Sequence, residues 1–378
     1  MPHPPGVSVA ELAAGAADVP LLDDTGQPCR PLLVVDLSAS PDGGLDEPLL
    51  RRAAERAADC PRLLIGVASG RVPARADELL QALDVTLTSS PDPRRECVTV
   101  PDPAAAAAAA GQAAAASPQA ALVLRQVLRA TGRLAVREAL DTESLAYSAL
   151  LGGPEFRRWL AARPARPGPS DVAEPVLVRR AAADDSRLLI TLNRPERRNA
   201  YGRQLRDALA DALRVALFDP GITRVVLDGA GPCFCSGGDL GEFGTTPDPV
   251  TAHFVRTQAG AALLLHAVRD RAEVRVHGPC TGAGVELPAY AGTVVAAEGT
   301  TFTLPEAGMG LIPGAGGTVS LPRRIGRWRT LYLALTGDRL DAATALAWGL
   351  VDRLVPPPGL RGDLRVGGGA PPPDPVTE

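Results

Sequence analysis

The stretch from His277 to Thr318, HGPCTGAGVELPAYAGTVVAAEGTTFTLPEAGMGLIPGAGGT, constrains this chain more than any other. Glycines at 282 and 284 flank Ala283, so the backbone there can approach a ligand without side-chain interference. The apolar helix predicted to follow leaves its first N–H groups unpaired, which suits an oxygen that gains negative charge during a reaction. Glu286 lies about one turn into that helix, among Val285, Leu287 and Pro288. Burial there would raise its pKa toward working pH. A second acid, Glu306, follows behind the strand-like TTFTLP. An acid beside an oxyanion-binding turn points to proton transfer next to a carbonyl.

Three further segments fall in order around this one: ITLNRPERRNA at 190–200, PCFCSGGDL at 232–240 and LTGDRLDAATALAWGLVDRLV at 335–355. Together they resemble the crotonase family, the enoyl-CoA hydratases and isomerases, over roughly residues 186–356. The resemblance implies an α/β fold: a crotonase-like spiral of strand-strand-helix units. It also implies a substrate held as an acyl-CoA or carrier-bound acyl thioester, with coenzyme A part of the substrate and no other cofactor.

The family's site residues carry over position by position. The backbone N–H groups of Gly238 and Ala283 would form the oxyanion hole. Glu286 and Glu306 match the two acids that position water and move protons in syn addition across the 2,3-double bond. Arg197 and Ala200, with Arg194, Arg198 and Asn199, lie where the family binds the adenosine end of coenzyme A, and Gly237 and Asp239 flank the oxyanion glycine. Asp239 there orders the loop rather than reacting. The bland readings are a turn glycine at 238, a capping or solvated role for either Glu, and a solvated charge run at 194–198. Ser236 and His277 have no triad-like context and read as structural. Pro288, Tyr290 and Gly292 depart from the family pattern and loosen the substrate assignment.

Both acids are retained, which tilts the reading toward hydration, since the family's isomerases often keep only one. An isomerase, thioester hydrolase or decarboxylase is the alternative within the fold. A non-catalytic assembly partner of an active homologue is the alternative of another class. The resemblance implies a homotrimer or hexamer.

Composition narrows the remaining options. A formal net charge of −4 argues against a nucleic-acid surface. Every basic residue is Arg, a compositional bias whose consequence is that phosphate contacts must come from Arg or backbone. The six Cys show neither a CxxC pair nor a Cys/His ligand spacing, so no disulfide framework or metal site is expected and a reduced, cytoplasmic protein is. The N-terminus lacks the basic start and apolar core of a signal peptide, and no apolar run is long enough to span a membrane, so the reading is a soluble protein.

The first half has its own organisation. Residues 1–30 read as a loose lead and 31–163 as a degenerate crotonase-like α/β domain ending in helices. Residues 164–178 read as a linker, 179–356 as the catalytic core and 357–378 as a disordered Pro- and Gly-rich tail. Residues 69–90 align without a gap beneath 277–298, placing Gly70 on Gly278 and Glu78 on Glu286. VTVPD at 98–102 sits beneath FTLPE, placing Asp102 on Glu306, yet Ala74, Arg75 and Ala76 replace the Gly282–Gly284 turn. The helices predicted over 117–163 resemble a crotonase's C-terminal helices, which the catalytic half lacks. They are expected to dock on that half, in the same or a neighbouring subunit.

Overall fold

The computed structural model describes residues 6–38, 46–164, 168 and 172–356. Three sheets with flanking helices form a mixed α/β molecule. In the first half the order is β1 (Gly6–Ser8), α1 (Val9–Ala13), β2 (Leu32–Asp36), α2 (Glu47–Asp59), β3 (Leu63–Ala68), α3 (Asp77–Ala82), β4 (Val85–Thr88) and β5 (Cys97–Thr99). All five strands run parallel, in sequence order across the sheet.

Parallel sheets need cover on both faces, and LLIGVA at β3 is accordingly buried at every position. Alternation then assigns the faces. Leu33, Val35, Leu64 and Ala68 pack with α1, α2 and α3, while Leu32, Leu63, Ile65 and Val67 face the other way. That second face is covered by α4 (Pro103–Ala116) and α5 (Pro118–Thr131). The alanine run forms α4, whose buried Ala107, Ala110 and Ala114 let its backbone lie close to the sheet. The helical series closes with α6 (Val136–Leu151) and α7 (Pro154–Ala162).

The second half begins with an antiparallel hairpin, β6 (Val176–Ala181) and β7 (Asp184–Leu192), then α8 (Arg203–Phe218) and β8 (Arg224–Gly229). Next come α9 (Pro249–Ala259), α10 (Ala262–Ala267), β9 (Ala272–Val276), β10 (Pro279–Thr281), α11 (Ala283–Glu286), β11 (Thr293–Ala297) and β12 (Thr301–Thr303). The chain continues through α12 (Gly317–Thr336), β13 (Leu340–Asp341), α13 (Ala342–Trp348) and β14 (Arg353–Val355). Strands β14-β11-β9-β8-β7-β6 make one sheet and β10-β12-β13 a small second one.

Two expectations change. Residues 6–13 are not a loose lead: β1 pairs with β2, and a reciprocal Ser8/Glu11 capping box starts α1. A three-residue strand is too short to show a period in sequence. The second half starts at Val176, inside the expected linker. The disordered tail, and part of the linker, lie outside the described residues.

At the offset that sets residue 69 on 277, β3 and β4 overlap β9 and β11 in position, and α3 overlaps the end of α11 and the turn after it. The acids do not follow. Glu78 is exposed, and Asp102 caps α4 by accepting from Ala105 N at 3.0 Å. β5 joins the main sheet beside β4, whereas β12 pairs with β10.

The halves share one continuous apolar core, in which α5 and α6 pack on α12 and α6 packs on α9 of the same chain. Polar bonds pin this docking: Thr131 Oγ1 donates to Thr318 O at 2.8 Å and Ser148 Oγ to Pro249 O at 2.8 Å. At its centre is Asp84, 0% exposed, which accepts from Arg125 and Arg129, both at 2.9 Å, and faces Arg327 of α12 at 3.5 Å. Removing the carboxylate strands three buried or half-buried guanidinium groups. Asp84→Ala is therefore expected to cost about 3–5 kcal/mol, read from urea unfolding; a loss below about 1 kcal/mol would show that this hub does not join the halves.

Candidate active site

The site is assembled from two loops laid backbone against backbone. The first, 230–241, leaves β8 and is fixed by Asn199. This buried side chain donates to the carbonyls of Ala230, Cys233 and Phe234 at 2.8–3.1 Å and accepts from Arg194 N at 2.8 Å. The second runs from β10 into α11, with Thr281 N donating to Cys235 O at 3.2 Å. Glycine is required where the loops touch. Gly282 has φ +49°, and a Cβ there would stand 2.5 Å from Glu306 Oε1.

Neighbouring amides in both loops are engaged: Tyr201 N to Gly237 O, Asp239 N to Tyr201 O, Gly282 N to Thr303 O, and Val285 N and Glu286 N to Gly282 O. Gly238 N–H and Ala283 N–H are left without an acceptor among the described residues. Both residues line one cavity of about 440 Å³, together with Glu286 and Glu306. The four residues singled out in the sequence thus converge.

The expected helix around Glu286 is a single turn. Pro288 has no N–H to continue it, so α11 stops at Glu286 and a 3-10 turn, Pro288–Tyr290, follows. Glu286 is 2% exposed, and its Oε2 accepts from Ala315 N at 2.7 Å and Gly317 N at 2.8 Å. Burial first, then the charges of Glu306 and Glu143, push its pKa well above the ordinary value. Glu306 starts the turn after β12, and its buried Oε2 has no hydrogen-bond partner. Burial, with Glu143 nearby, lifts it to about 7. Acids this close and this dry cannot all be ionised at neutral pH.

The other named residues are structural in their contacts. Arg197 forms a two-pronged pair with Asp239, 3.0 and 2.6 Å, and Asp239 also accepts from Gly241 N at 2.9 Å. Asp239 therefore orders the loop, and Arg197, expected beside coenzyme phosphate, is already paired. Ala200 is buried behind Arg198 and Asn199, both in left-handed conformation. Gly237, at φ +94°, packs on Thr281 O. His277 Nε2 meets Gly231 O at 3.0 Å, and Ser236 N donates to Arg198 O at 3.0 Å.

Sequence reasoning expected the 117–163 helices to dock here but named none of the side chains that α6 and α9 bring to the cavity. Glu143 and Tyr147 of α6 and Arg256 of α9 line the cavity, as does Tyr201, whose hydroxyl accepts from Ala261 N at 3.2 Å. A signal existed: Glu143 sits on the apolar stripe Leu140, Tyr147, Leu150 and Leu151, where an acid is out of place. Arg256 lies over the Tyr147 ring at 4.4 Å and donates to Ser144 Oγ and O at 3.1 Å and to Ser148 Oγ.

Strands, loops and the paired acids define a class, and comparison with known proteins gives it a name. Residues 183–365 match the family model described as enoyl-CoA hydratase/isomerase, and the chain belongs to that family. A probable enoyl-CoA hydratase of Mycobacterium bovis is 37% identical over 186 residues, 48% of this chain and 69% of the relative. The 2,3-dehydroadipyl-CoA hydratase of Escherichia coli is 37% identical over 45% of this chain and 66% of its own length. A solved enoyl-CoA hydratase of Mycobacterium smegmatis aligns at 30% identity and a TM-score of 0.44, covering 49% of this chain and 72% of that one.

The raised acids have a consequence without substrate. An unfolded glutamate releases its proton near 4.5, whereas folded Glu306 keeps it to about 7, so the folded state binds the extra proton and stability falls as pH rises through that window. Glu306→Gln should flatten the curve of unfolding free energy against pH between those values; a curve parallel to that of the unchanged protein would contradict the burial of this carboxyl.

Proposed function

We propose that this enzyme hydrates the 2,3-double bond of an acyl-CoA, or carrier-bound, thioester. One observation supports this above the rest: two main-chain N–H groups without an acceptor among the described residues and the carboxyls of Glu286 and Glu306 open on the same cavity. The thioester oxygen sits between Gly238 N–H and Ala283 N–H, where the negative charge of the enolate collects. Losing one such donor costs about 3 kcal/mol of transition-state stabilisation. One carboxylate takes a proton from water as its oxygen bonds Cβ, and the other acid delivers a proton to Cα. The C–C π bond is consumed, both parts of the water are retained, and no metal or redox cofactor is required.

The unequal settings of the acids suit this division. Glu286 is oriented by two amides, whereas Glu306 has one oxygen free to receive or release a proton. Leu140, Leu151, Phe156 and Phe243 give the cavity an apolar end for an acyl chain. In this reading α5, α6 and α7 do the work of the family's terminal helices, closing the acyl pocket. The Arg197–Asp239 pair holds the oxyanion loop while Ala200 and its neighbours meet the coenzyme. A trimer or hexamer is the assembly that goes with it.

Crotonyl-CoA and longer or aryl enoyl-CoAs are the test, followed by loss of the conjugated absorbance with identification of the 3-hydroxyacyl product. Turnover is expected, and Glu286→Gln and Glu306→Gln should each lower kcat by about 10²- to 10⁴-fold. A folded sample that turns over none of these thioesters, or a Glu306→Gln variant at full rate, would sink the two-acid mechanism.

A further inference from the structure

The turn Gly314–Thr318 is held by two carboxylates from different halves of the chain. Ala315 N and Gly317 N donate to Glu286 Oε2, at 2.7 and 2.8 Å. The alternate amides go the other way: Gly316 N donates to Glu143 Oε1 at 2.8 Å, and Thr318 N and Oγ1 donate to Glu143 Oε2 at 2.9 and 2.7 Å. Four successive N–H groups are thus shared between two acids.

The turn has little freedom to move under one acid without moving under the other. Gly316 is left-handed, with φ +101°, and its carbonyl accepts from Tyr290 Oη at 2.9 Å. A Cβ on Gly317 would stand 2.6 Å from Glu286 Cγ. Ser320 Oγ, one turn on, donates to Glu286 O at 2.8 Å. A displacement of Gly316 or Thr318 therefore passes directly to Ala315 and Gly317.

We propose that Glu143 is a positioning residue of the catalytic centre: through the turn it shares with Glu286 it fixes where that carboxylate stands, so that the N-terminal half completes the site. This rests on the hydratase reading for its chemistry but not for its geometry. Three acceptor contacts are more than docking α6 requires, since Ser148 and Arg256 already tie that helix to α9. Glu143 is buried in the cavity wall beside Arg256, with Tyr147 one turn along its own helix, His253 bonded to the adjacent Ser144, and Tyr290 beneath Gly316. Glu286 and Glu306 line the same cavity, and Tyr201 and Cys235 lie near Glu286. Burial lifts the pKa of Glu143 itself to about 7, and where Glu143 is ionised its charge raises the pKa of both Glu286 and Glu306. Neutralising Glu143 moves those titrations down.

The full-length Glu143→Gln variant tests this by two readouts. Without substrate, the amides of 315–318 should exchange hydrogen at least about tenfold faster, at 315 and 317 as well as at 316 and 318. With enoyl-CoA, kcat should fall about 10- to 100-fold with KM within about threefold, and the limb of the pH–rate profile set by the two acids should move to lower pH. Glu155→Gln is the control. That buried acid caps the start of α5, accepting from Gln119 N at 2.8 Å and Ala120 N at 3.0 Å, so its loss should destabilise the fold and leave the profile in place.

Unchanged protection at 315 and 317, or an unmoved profile with kcat intact, would overturn the proposal. If Glu143→Gln does not fold, Thr318→Val, which removes only the hydroxyl bond, should give the same shifts at smaller amplitude. A wild-type protein that hydrates no enoyl-CoA would end the hydratase reading, and the exchange of 315 and 317 would still decide whether Glu143 sets Glu286.

Discussion

Carboxyl groups taken out of water must be neutralised, paired or supplied with donors, and the centre of this protein is organised by that requirement. Glu286 and Glu143 are met by backbone amides of a single turn, so the loop preceding α12 is shaped around two acids. Glu306 has one oxygen with no donor among the described residues. The distribution of donors therefore separates the acid that is held from the acid that is left open.

The same constraint explains the glycines. Gly282 gives room to Glu306, Gly317 to Glu286, and Gly316 takes a left-handed conformation that aims its N–H at Glu143. Each lies where backbone approaches a carboxylate, while Gly278, Gly284 and Gly292 lie where it approaches another backbone carbonyl. This is also why that stretch was legible without coordinates: local chain geometry and the chemistry it serves occupy the same residues. Gly238, Ala283, Glu286 and Glu306 could be named in advance because each belongs to a short segment with its own turn chemistry.

What was illegible depended on distance along the chain. Glu143 lies 173 positions from the amide of Gly316 it accepts from, and no local pattern reports such a pairing. Its place on an apolar stripe marked it as buried without saying against what. The β1–α1 unit escaped for a different reason, since a three-residue strand has almost no period of its own and is specified by the β2 edge it pairs with. Arg197 was expected beside the coenzyme, and the partner that fixes its guanidinium, Asp239, sits on another loop.

The two halves can then be weighed on contacts rather than on likeness. The first half has no counterpart of the acid pair: Glu78 faces solvent and Asp102 is a helix cap. Its sheet is parallel, and one face of it is continuous with the core of the second half through α4 and α5. Small alanine side chains on α4 permit that closeness, and the Asp84 hub ties α5 to α12 across the seam. Because α12 also carries Thr318 at its start, the helix that anchors the N-terminal half is the one whose first turn receives Glu143 and Glu286. The helix is broken at Gly326 (φ 85°, ψ 154°), so the acid turn at Thr318 and the Asp84 contact at Arg327 lie on its two segments, and Thr131, bonded to Thr318 O, joins the first segment to α5. A half without acids of its own is in this way bound to the geometry of the pair it lacks.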